Sequence, residues 1–202
     1  MEAMTCGPLV WTAATRALPG ESVSGDRYLV KRFSSGVLLA AIDGLGHGRE
    51  AADASTLAVQ ILDRHAGEPV LKLIQHCHEE LRGTRGVVMS LASLTIDGAL
   101  QWVGIGNVEG LLVHADASAA HESLSLRGGI VGRQLPPPHV SVLRLSPKDL
   151  LLFVTDGVAP QFFGEVRSEK DVDLMVKGIM ARHWKENDDA LVLAARYEGW
   201  QP

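Results

Sequence analysis

Four aspartates in this 202-residue chain stand at the ends of segments that otherwise look buried. They are Asp26, Asp43, Asp156 and Asp188. Residues 37–42 and 150–155 are almost entirely apolar, which is typical of strands buried on both faces, and each run leads directly into an aspartate. A carboxylate held near an apolar core costs free energy unless a cation compensates its charge. The four residues therefore predict a shared cation site rather than four unrelated turns.

Two of these aspartates could face each other across one pair of strands. Residues 28–33 alternate in polarity, and residues 34–36 supply a turn before the apolar run. If the loop is only residues 34 and 35, antiparallel pairing sets Asp26 opposite Asp43, with Cβ atoms roughly 4.5 to 5.5 Å apart. Like charges at that spacing destabilise the pair unless a cation lies between them. A turn one residue longer would instead leave Asp26 as an ordinary turn residue, and the residues alone leave both readings open.

The type of ligand indicates the metal and the chemistry. Carboxylate oxygens favour Mg²⁺ or Mn²⁺, whereas zinc would prefer Cys and His. Two such ions about 3.5 to 4 Å apart can activate a water molecule and hold a phosphoryl group for in-line attack. The two cysteines, Cys6 and Cys77, form no C-x-x-C pair, so neither a disulfide framework nor a structural zinc site is indicated. The cysteine content fits a reducing cytosol.

Composition excludes several classes of protein. A hydrophobic content of 46% over residues 1–202 is enough for one domain with an ordinary core. The formal charge is -5 and the 19 basic residues are scattered, so the sequence shows no basic cluster that would bind nucleic acid. No apolar run approaches the roughly 20 residues that cross a bilayer. We expect a cytoplasmic protein with no membrane or nucleic-acid partner, and a monomer.

The periodicity of the sequence predicts an α+β fold. Tight turns, such as Asp97-Gly98, join many short strands, and three amphipathic helices separate groups of strands. Strands are predicted at residues 8–18, 28–33, 37–42, 87–96, 99–106, 111–114, 123–126, 139–145, 150–155 and 190–196, and helices at about 48–64, 69–83 and 170–184. Residues 111–114 are predicted to extend the meander formed by 87–106. We expect a four-layer α-β-β-α sandwich of two largely antiparallel sheets flanked by helices.

Seven short motifs, spread over nearly the whole chain, match a known family in their order. They are Ser24-Gly25-Asp26, Asp43-Gly44-Leu45-Gly46-His47-Gly48, Thr84-Arg85-Gly86, Gly104-Ile105-Gly106-Asn107, Gly128-Gly129-Ile130-Val131-Gly132, Thr155-Asp156-Gly157 and Asn187-Asp188-Asp189-Ala190. The chain resembles the metal-dependent protein phosphatases of the protein phosphatase 2C (PP2C) type, in their SpoIIE-like branch and nearest to the stressosome phosphatases. The D-G-x-G-H-G block is the most specific part of this resemblance.

The resemblance implies a serine/threonine phosphoprotein phosphatase with two Mn²⁺ or Mg²⁺ ions. Its implied metal ligands are Asp26, Asp43, the Gly44 carbonyl, Asp156 and Asp188, with Asp43 serving both ions. The implied substrate is phosphoserine or phosphothreonine on a STAS-domain stressosome protein, hydrolysed by metal-activated water without a phosphoenzyme. Larger relatives carry an aspartate where this chain has Asn107, which argues against a third ion.

The last aspartate pair requires a choice of ligand. Strand alternation places Asp188 on a face with Ala190 and Val192, which leaves room for ions, while Asp189 shares the face of Leu191. We predict that Asp188 is the ligand, and the resemblance agrees. Asp189 is then expected to orient the metal ligands without contacting the metal itself.

Three other residues have weaker indications of a role. His47 could orient the attacking water or contact the phosphate, and it could equally cap the helix that follows it. Arg85 and Arg49 could bind phosphate, although a solvated surface position is favoured for both. His76 and His78 form an H-x-H pair, which faces two directions on a helix and is therefore not expected to bind a metal.

Two other functions compete with the phosphatase prediction. Gly44, Gly46 and Gly48 follow a strand and open a helix, as in a nucleotide-binding fingerprint, but Arg49 stands where a glycine is expected and Asp43 would repel a pyrophosphate. The second alternative is a catalytically silent module that only binds a STAS-domain partner. The presence of all four aspartates argues against it.

Overall fold

The computed structural model describes residues 3–116, 118–167 and 171–200. Twelve strands and three α-helices account for most of them. The strands are β1 (Met4–Cys6), β2 (Leu9–Arg16), β3 (Asp26–Phe33), β4 (Gly36–Gly44), β5 (Val87–Thr95), β6 (Ala99–Ile105), β7 (Glu109–Val113), β8 (Glu122–Ser123), β9 (Leu126–Arg127), β10 (Ser141–Arg144), β11 (Leu150–Val154) and β12 (Ala190–Tyr197). The helices are α1 (Arg49–His65), α2 (Val70–Glu80) and α3 (Val172–His183), with a 3-10 turn at Pro160–Glu165.

The strands form two sheets stacked face to face. One has the order β1-β2-β12-β11-β7-β8 and the other β10-β6-β5-β4-β3, with β9 added to β6 as the only parallel pairing among the described strands. Helices α1 and α2 pack on the outer face of the second sheet, and α3 packs on the outer face of the first. The predicted four-layer α-β-β-α sandwich is therefore confirmed.

Strand β4 is central, and its side chains are shared between two cores. Val37, Leu39 and Ala41 lie between the sheets, whereas Leu38 and Ile42 pack under α1 and α2. All five are fully buried. This confirms the interpretation of residues 37–42 as a strand buried on both faces, because only such a strand removes every side chain of an unbroken apolar run from water.

The loop between β3 and β4 has only two residues, 34 and 35, which is the loop length that sets Asp26 opposite Asp43. Phe33 pairs with Gly36, and the same register runs back along the strands to pair Asp26 with Asp43. Because the side-chain period of a strand is two, one extra loop residue would have turned one carboxylate to the opposite face of the sheet. The two carboxylates therefore meet across the last pair of residues in the ladder.

Several predicted elements differ from those observed. The strand predicted at 8–18 is observed as β2, and an additional strand, β1, precedes it, joined to β2 by a turn at Gly7 with φ +56°. The prediction that residues 111–114 extend the meander was wrong, because β7 crosses to the other sheet and pairs with β11. Residues 123–126 divide between β8 and β9, which belong to different sheets. The third predicted helix starts at Val172, and residue 170 lies outside the described part of the chain.

The connections between these elements are consistent with the rest of the sequence pattern. Gly98 adopts φ +80°, which only a residue without Cβ enters freely, and β5 and β6 pair on either side of it. The loop has three residues, 96–98, one more than the two-residue Asp97-Gly98 turn that the strand bounds predicted, because Leu94 pairs with Leu100. Within the described ranges, no helix is both long and apolar enough to span a membrane.

Candidate active site

The paired carboxylates of Asp26 and Asp43 form the buried part of the site. Asp26 is only 1% exposed, and its carboxylate accepts a hydrogen bond of 2.7 Å from the Thr155 hydroxyl. Burial, followed by repulsion from Asp26, raises the pKa of Asp43 to about 9. Burial also raises the pKa of Asp26 to about 8, although the Thr155 hydroxyl opposes this shift. Each carboxylate is thus difficult to ionise without a nearby positive charge.

Asp156 and Asp188 approach the same place from the first sheet. Asp156 follows β11, directly after Thr155, and its pKa is raised by burial and by the charge of Asp188. The Asn107 amide donates a 2.7 Å hydrogen bond to the Asp156 carboxylate. Asp188 also repels both Asp26 and Asp43 electrostatically, so the four predicted aspartates act on one another. The structure therefore brings together residues that are up to 162 positions apart in the sequence.

Asp189 has a different environment from Asp188. Its two carboxylate oxygens accept hydrogen bonds from the backbone N–H groups of Leu18 (2.8 Å) and Gly25 (2.7 Å). The side chain is buried and joins the start of β12 to the segment that leads into β3. Both oxygens are occupied by the protein itself, in agreement with a supporting role.

The argument that placed Asp188 on the roomier face was wrong. Ala190 and Val192 lie in the apolar cluster beneath α3, so the small residues on that face are covered by the helix. Leu191 packs between the sheets, as expected. Both aspartates precede β12, and their distinct environments come from the preceding loop rather than from strand alternation.

Glycines allow the backbones around the site to approach closely. A Cβ on Gly44 would lie 2.1 Å from the Ala51 carbonyl oxygen of α1, and one on Gly157 would lie 1.9 Å from the Asp189 carbonyl oxygen. Gly44 also donates a backbone hydrogen bond of 3.2 Å to Gly25. These contacts hold the segment before Asp26 against the end of β4, and the segment after Asp156 against Asp189, and no side chain fits at Gly44 or Gly157.

The donor set fits divalent cations of the magnesium class. Within the described residues, no Lys, Arg or His nitrogen lies within 4 Å of the carboxylates of Asp26, Asp43, Asp156 or Asp188. All available ligands are oxygens, which Mg²⁺ and Mn²⁺ prefer. No three of these carboxylates bring ligand atoms within 4.8 Å of one another in the part of the chain that was described.

His47 does not cap α1. The helix begins after Gly48, which makes no side-chain capping bond, and the His47 ring is exposed. Its Nδ1 lies 2.7 Å from a carboxylate oxygen of Glu21. The capping interpretation was therefore wrong.

Arg85 lies at the surface, 43% exposed, as we favoured, and it also makes specific contacts. Its Nε donates a 2.5 Å hydrogen bond to Glu50, and its guanidinium packs against the backbone of Gly46 in the D-G-x-G-H-G loop. The Arg133 side chain donates to the Arg85 carbonyl oxygen at 2.6 Å. A cavity of about 440 Å³ lies beside these two arginines. Arg49 is exposed, in agreement with the favoured position.

Comparison with known proteins places this geometry in a family. A family profile described as "Stage II sporulation protein E (SpoIIE)" matches residues 34–198. The chain belongs to the SpoIIE family. "Phosphoserine phosphatase RsbX" of Bacillus subtilis (strain 168) is 22% identical over 173 residues, covering 84% of this chain and 85% of that protein.

Solved structures share the fold of this SpoIIE-family chain. The crystal structure of RsbX in complex with magnesium matches with a TM-score of 0.87 at 17% identity and covers 98% of this chain and 99% of that one. A chain of a structure described as "The bacterial stressosome: a modular system that has been adapted to control secondary messenger signaling" matches with a TM-score of 0.84 at 29% identity, covering 93% and 99%. The predicted resemblance to PP2C-type phosphatases, including RsbX, is confirmed, as is the class of protein serine/threonine phosphatase.

Membership of the SpoIIE family leaves little support for nucleotide binding. The Glu21 carboxylate lies against Gly48 at the start of α1, where a Cβ would be 2.8 Å from its oxygen. Together with Asp43, it puts negative charge where a pyrophosphate would have to bind.

Sequence reasoning missed three residues of the site. Thr155 was quoted only as part of a motif, yet its hydroxyl also accepts the Leu191 backbone N–H at 2.7 Å and so joins β11 to β12. The Lys185 ammonium donates to the Asp156 carbonyl oxygen at 2.6 Å. Glu21 lies in an irregular segment. No spacing rule could have found Glu21 or Lys185, because each acts through loop geometry.

Proposed function

We propose that this chain hydrolyses phosphoserine or phosphothreonine on a STAS-domain stressosome protein, using two Mg²⁺ or Mn²⁺ ions. The observation that carries the proposal is the pairing of Asp26 with Asp43 at the end of a hairpin whose second strand, β4, is buried on both faces. Among the described residues, no Lys, Arg or His nitrogen lies within 4 Å of either carboxylate. Two acids so placed destabilise the metal-free protein, and their position is explained by a bound cation.

The metal ligands in this proposal are side chains and one backbone group. Asp43 serves both ions, and the others are Asp26, Asp156, Asp188 and the Gly44 carbonyl. Bound there, the ions would activate water for in-line attack on phosphorus and stabilise the charge on the phosphoryl oxygens. No covalent phosphoenzyme is needed, and a third ion is not required because the neutral Asn107 is already hydrogen-bonded to Asp156.

Neighbouring residues orient these ligands through hydrogen bonds. Thr155 fixes one oxygen of Asp26 and Asn107 fixes one oxygen of Asp156. Asp189 holds the backbone at Gly25, which directly precedes Asp26. Outer hydrogen bonds of this kind set the orientation and basicity of metal ligands.

His47 and Arg85 are the candidates for contact with the phosphate. His47 is exposed and follows the metal-binding loop, and its ring is oriented by Glu21. The Arg85 guanidinium lies over Gly46 and is 43% exposed, so it can exchange Glu50 for a phosphoryl group.

The proposed substrate class rests on two observations. The relatives named above are a phosphoserine phosphatase and a stressosome chain that aligns over nearly all of this one. The long segment at residues 128–138 lies beside the site, because Val131 pairs with Val87 and the Gly106 N–H donates to Arg127. This segment offers an irregular surface for docking a folded phosphoprotein, as larger substrates require contacts beyond the phosphate.

The decisive experiment is phosphate release from a phosphorylated STAS-domain protein, with Mn²⁺, with Mg²⁺ and with excess chelator. We expect release only with metal. A protein that binds the phosphorylated partner tightly but releases no phosphate in any metal would be the silent binding module instead. Release in chelator would exclude the two-metal mechanism.

A further inference from the structure

A second group of metal-ligating side chains lies at the junction of α1 and α2. His65 is the last residue of α1, Glu68 is in the connection and His76 is in the second turn of α2. The His65 Nδ1 lies 2.7 Å from one Glu68 oxygen, and the His76 Nε2 lies 3.2 Å from the other. The two imidazole rings are stacked, with centroids 4.3 Å apart and planes inclined by 16°.

These three side chains converge as metal ligands do. One ligand atom from each lies within 4.8 Å of the others. Ligand atoms around a tetrahedral zinc ion, with bonds of about 2.0 to 2.1 Å, are about 3.3 Å apart. The observed nitrogen-to-oxygen distances of 2.7 and 3.2 Å run to different oxygens of Glu68, so binding one ion would need rotations of the side chains that turn the two ring nitrogens and one oxygen towards a common point.

This group is separate from the aspartate cluster. Helix α1 has 17 residues and is therefore about 25 Å long at 1.5 Å per residue. Its first turn adjoins the loop after Asp43, whereas His65 ends its last turn. The two groups also differ in chemistry, since one offers only oxygens and the other two imidazole nitrogens and one carboxylate.

We propose that His65, Glu68 and His76 bind one zinc-class transition-metal ion, which fastens α2 to α1. Two histidines and one glutamate form a common donor set for zinc, whereas Mg²⁺ and Mn²⁺ prefer oxygen ligands alone. The side chains are 24%, 36% and 36% exposed, so a fourth position is open to water. The ligands come from a short stretch of chain, and the ion would stabilise the packing of α1 against α2 on the second sheet.

Zinc binding can be measured without assaying the phosphatase. Protein stripped with chelator and returned to excess Mg²⁺, which fills the aspartate cluster, is titrated with Zn²⁺ by calorimetry, and Tm is followed in parallel. We expect one zinc ion per chain and a rise in Tm on binding. Loss of even an outer partner of a ligand costs about 10 to 100-fold in metal affinity, so His76→Asn or Glu68→Gln should cost at least that much.

Matched variants distinguish this site from other binding. His121→Asn removes an exposed histidine from a distant loop and should bind zinc like the wild type. Asp43→Asn alters the aspartate cluster and should also keep the zinc site. Unchanged zinc affinity in His76→Asn, failure of the wild type to bind zinc, or loss of binding in Asp43→Asn alone would each overturn the proposal. None of these results depends on whether the chain is a phosphatase.

Discussion

Asp43 is the residue on which the proposed mechanism most depends. Both ions would share its carboxylate. Asp43→Asn should therefore lower metal-dependent phosphate release by more than roughly 100-fold, which is the upper end of the loss caused by removing a residue that only hydrogen-bonds to a metal ligand. In the metal-free protein at neutral pH, the folded state must bind a proton at Asp43 that the unfolded chain has released; Asp43→Asn removes this cost, so the Tm in chelator should rise.

Both effects of Asp43→Asn are checked by turnover in saturating Mn²⁺ and by thermal unfolding in chelator. Asp63→Asn, on the exposed surface of α1, is the matched control and should change neither quantity by much, because its ion pair with Lys31 is exposed. Wild-type turnover by Asp43→Asn would contradict the assignment.

Asp188 and Asp189 should respond differently to the same substitution. Asp188→Asn is expected to raise the Mn²⁺ concentration needed for half-maximal rate, since it removes a proposed ligand. Asp189→Asn leaves one of two backbone N–H donors without an acceptor, so we expect a loss of about 1 to 3 kcal/mol in stability, with activity reduced by about 10 to 100-fold. A Mn²⁺ titration of both mutants, with Tm measured for each, shows which substitution raises the half-maximal Mn²⁺ concentration more. A larger rise for Asp189→Asn than for Asp188→Asn would make Asp189 the ligand.

The stability of the metal-free protein should depend on pH through Asp26 and Asp43. Their pKa values, raised to about 8 and about 9, lie far above the value of 3.8 for an unperturbed aspartate. Between these values the folded state binds protons that the unfolded chain has released, so the free energy of unfolding falls as pH rises. We expect the Tm in chelator to fall between about pH 5 and 9, and to fall less in Asp43→Asn.

Added Mg²⁺ should reverse the pH trend, because an ion replaces the bound protons. The comparison is made by thermal unfolding at each pH, with and without Mg²⁺. Identical slopes for the wild type and Asp43→Asn in chelator would show that these carboxylates are ionised without cost.

At the scale of elements, the contact of β4 with α1 sets the position of the loop that we propose binds metal. Gly44→Ala would drive a Cβ to 2.1 Å from the Ala51 carbonyl oxygen, where only a shift of the helix backbone can make room. Overpacking of this kind costs about 1 to 3 kcal/mol, and sometimes more. We therefore expect a lower denaturation midpoint and weaker metal binding.

Gly164→Ala is the matched control for this substitution. A Cβ at Gly164 meets nothing within 4 Å, and the residue lies in the 3-10 turn away from the aspartates. Its stability should stay within about 0.5 kcal/mol of the wild type. Equal denaturant midpoints for the two variants would mean that α1 moves away from β4 at no cost.

At the scale of the whole molecule, the enzyme should prefer a folded phosphoprotein to a small phosphate ester. The segment at residues 128–138 lies beside the aspartate cluster. In this segment, Arg133 donates a hydrogen bond to the Arg85 carbonyl oxygen. We expect kcat/KM for a phosphorylated STAS-domain protein to exceed that for an aryl phosphate. Arg133→Ala should lower the first value and spare the second. Comparable values for both substrates in the wild type would argue against docking.

The sequence by itself determined the two-sided burial of β4, the hairpin turns and the identity of the clustered acids. These features follow from local rules, because an unbroken apolar run, an Asp-Gly pair and an aspartate after a strand each predict structure from only a few neighbouring residues. The family motifs added the proposed assignment of the aspartates as metal ligands. The Asp26–Asp43 pairing needed only the assumption of a two-residue loop.

Only the tertiary structure decided how distant segments meet. The crossing of β7 to the other sheet, the covering of Ala190 and Val192 by α3 and the pairing of His47 with Glu21 join residues with no common local pattern. The same is true of His76, which the H-x-H spacing excluded as a ligand but which meets His65 and Glu68 across the turn between two helices. Spacing along one helix fixes the direction of a side chain, and the packing of a second helix determines what that side chain contacts.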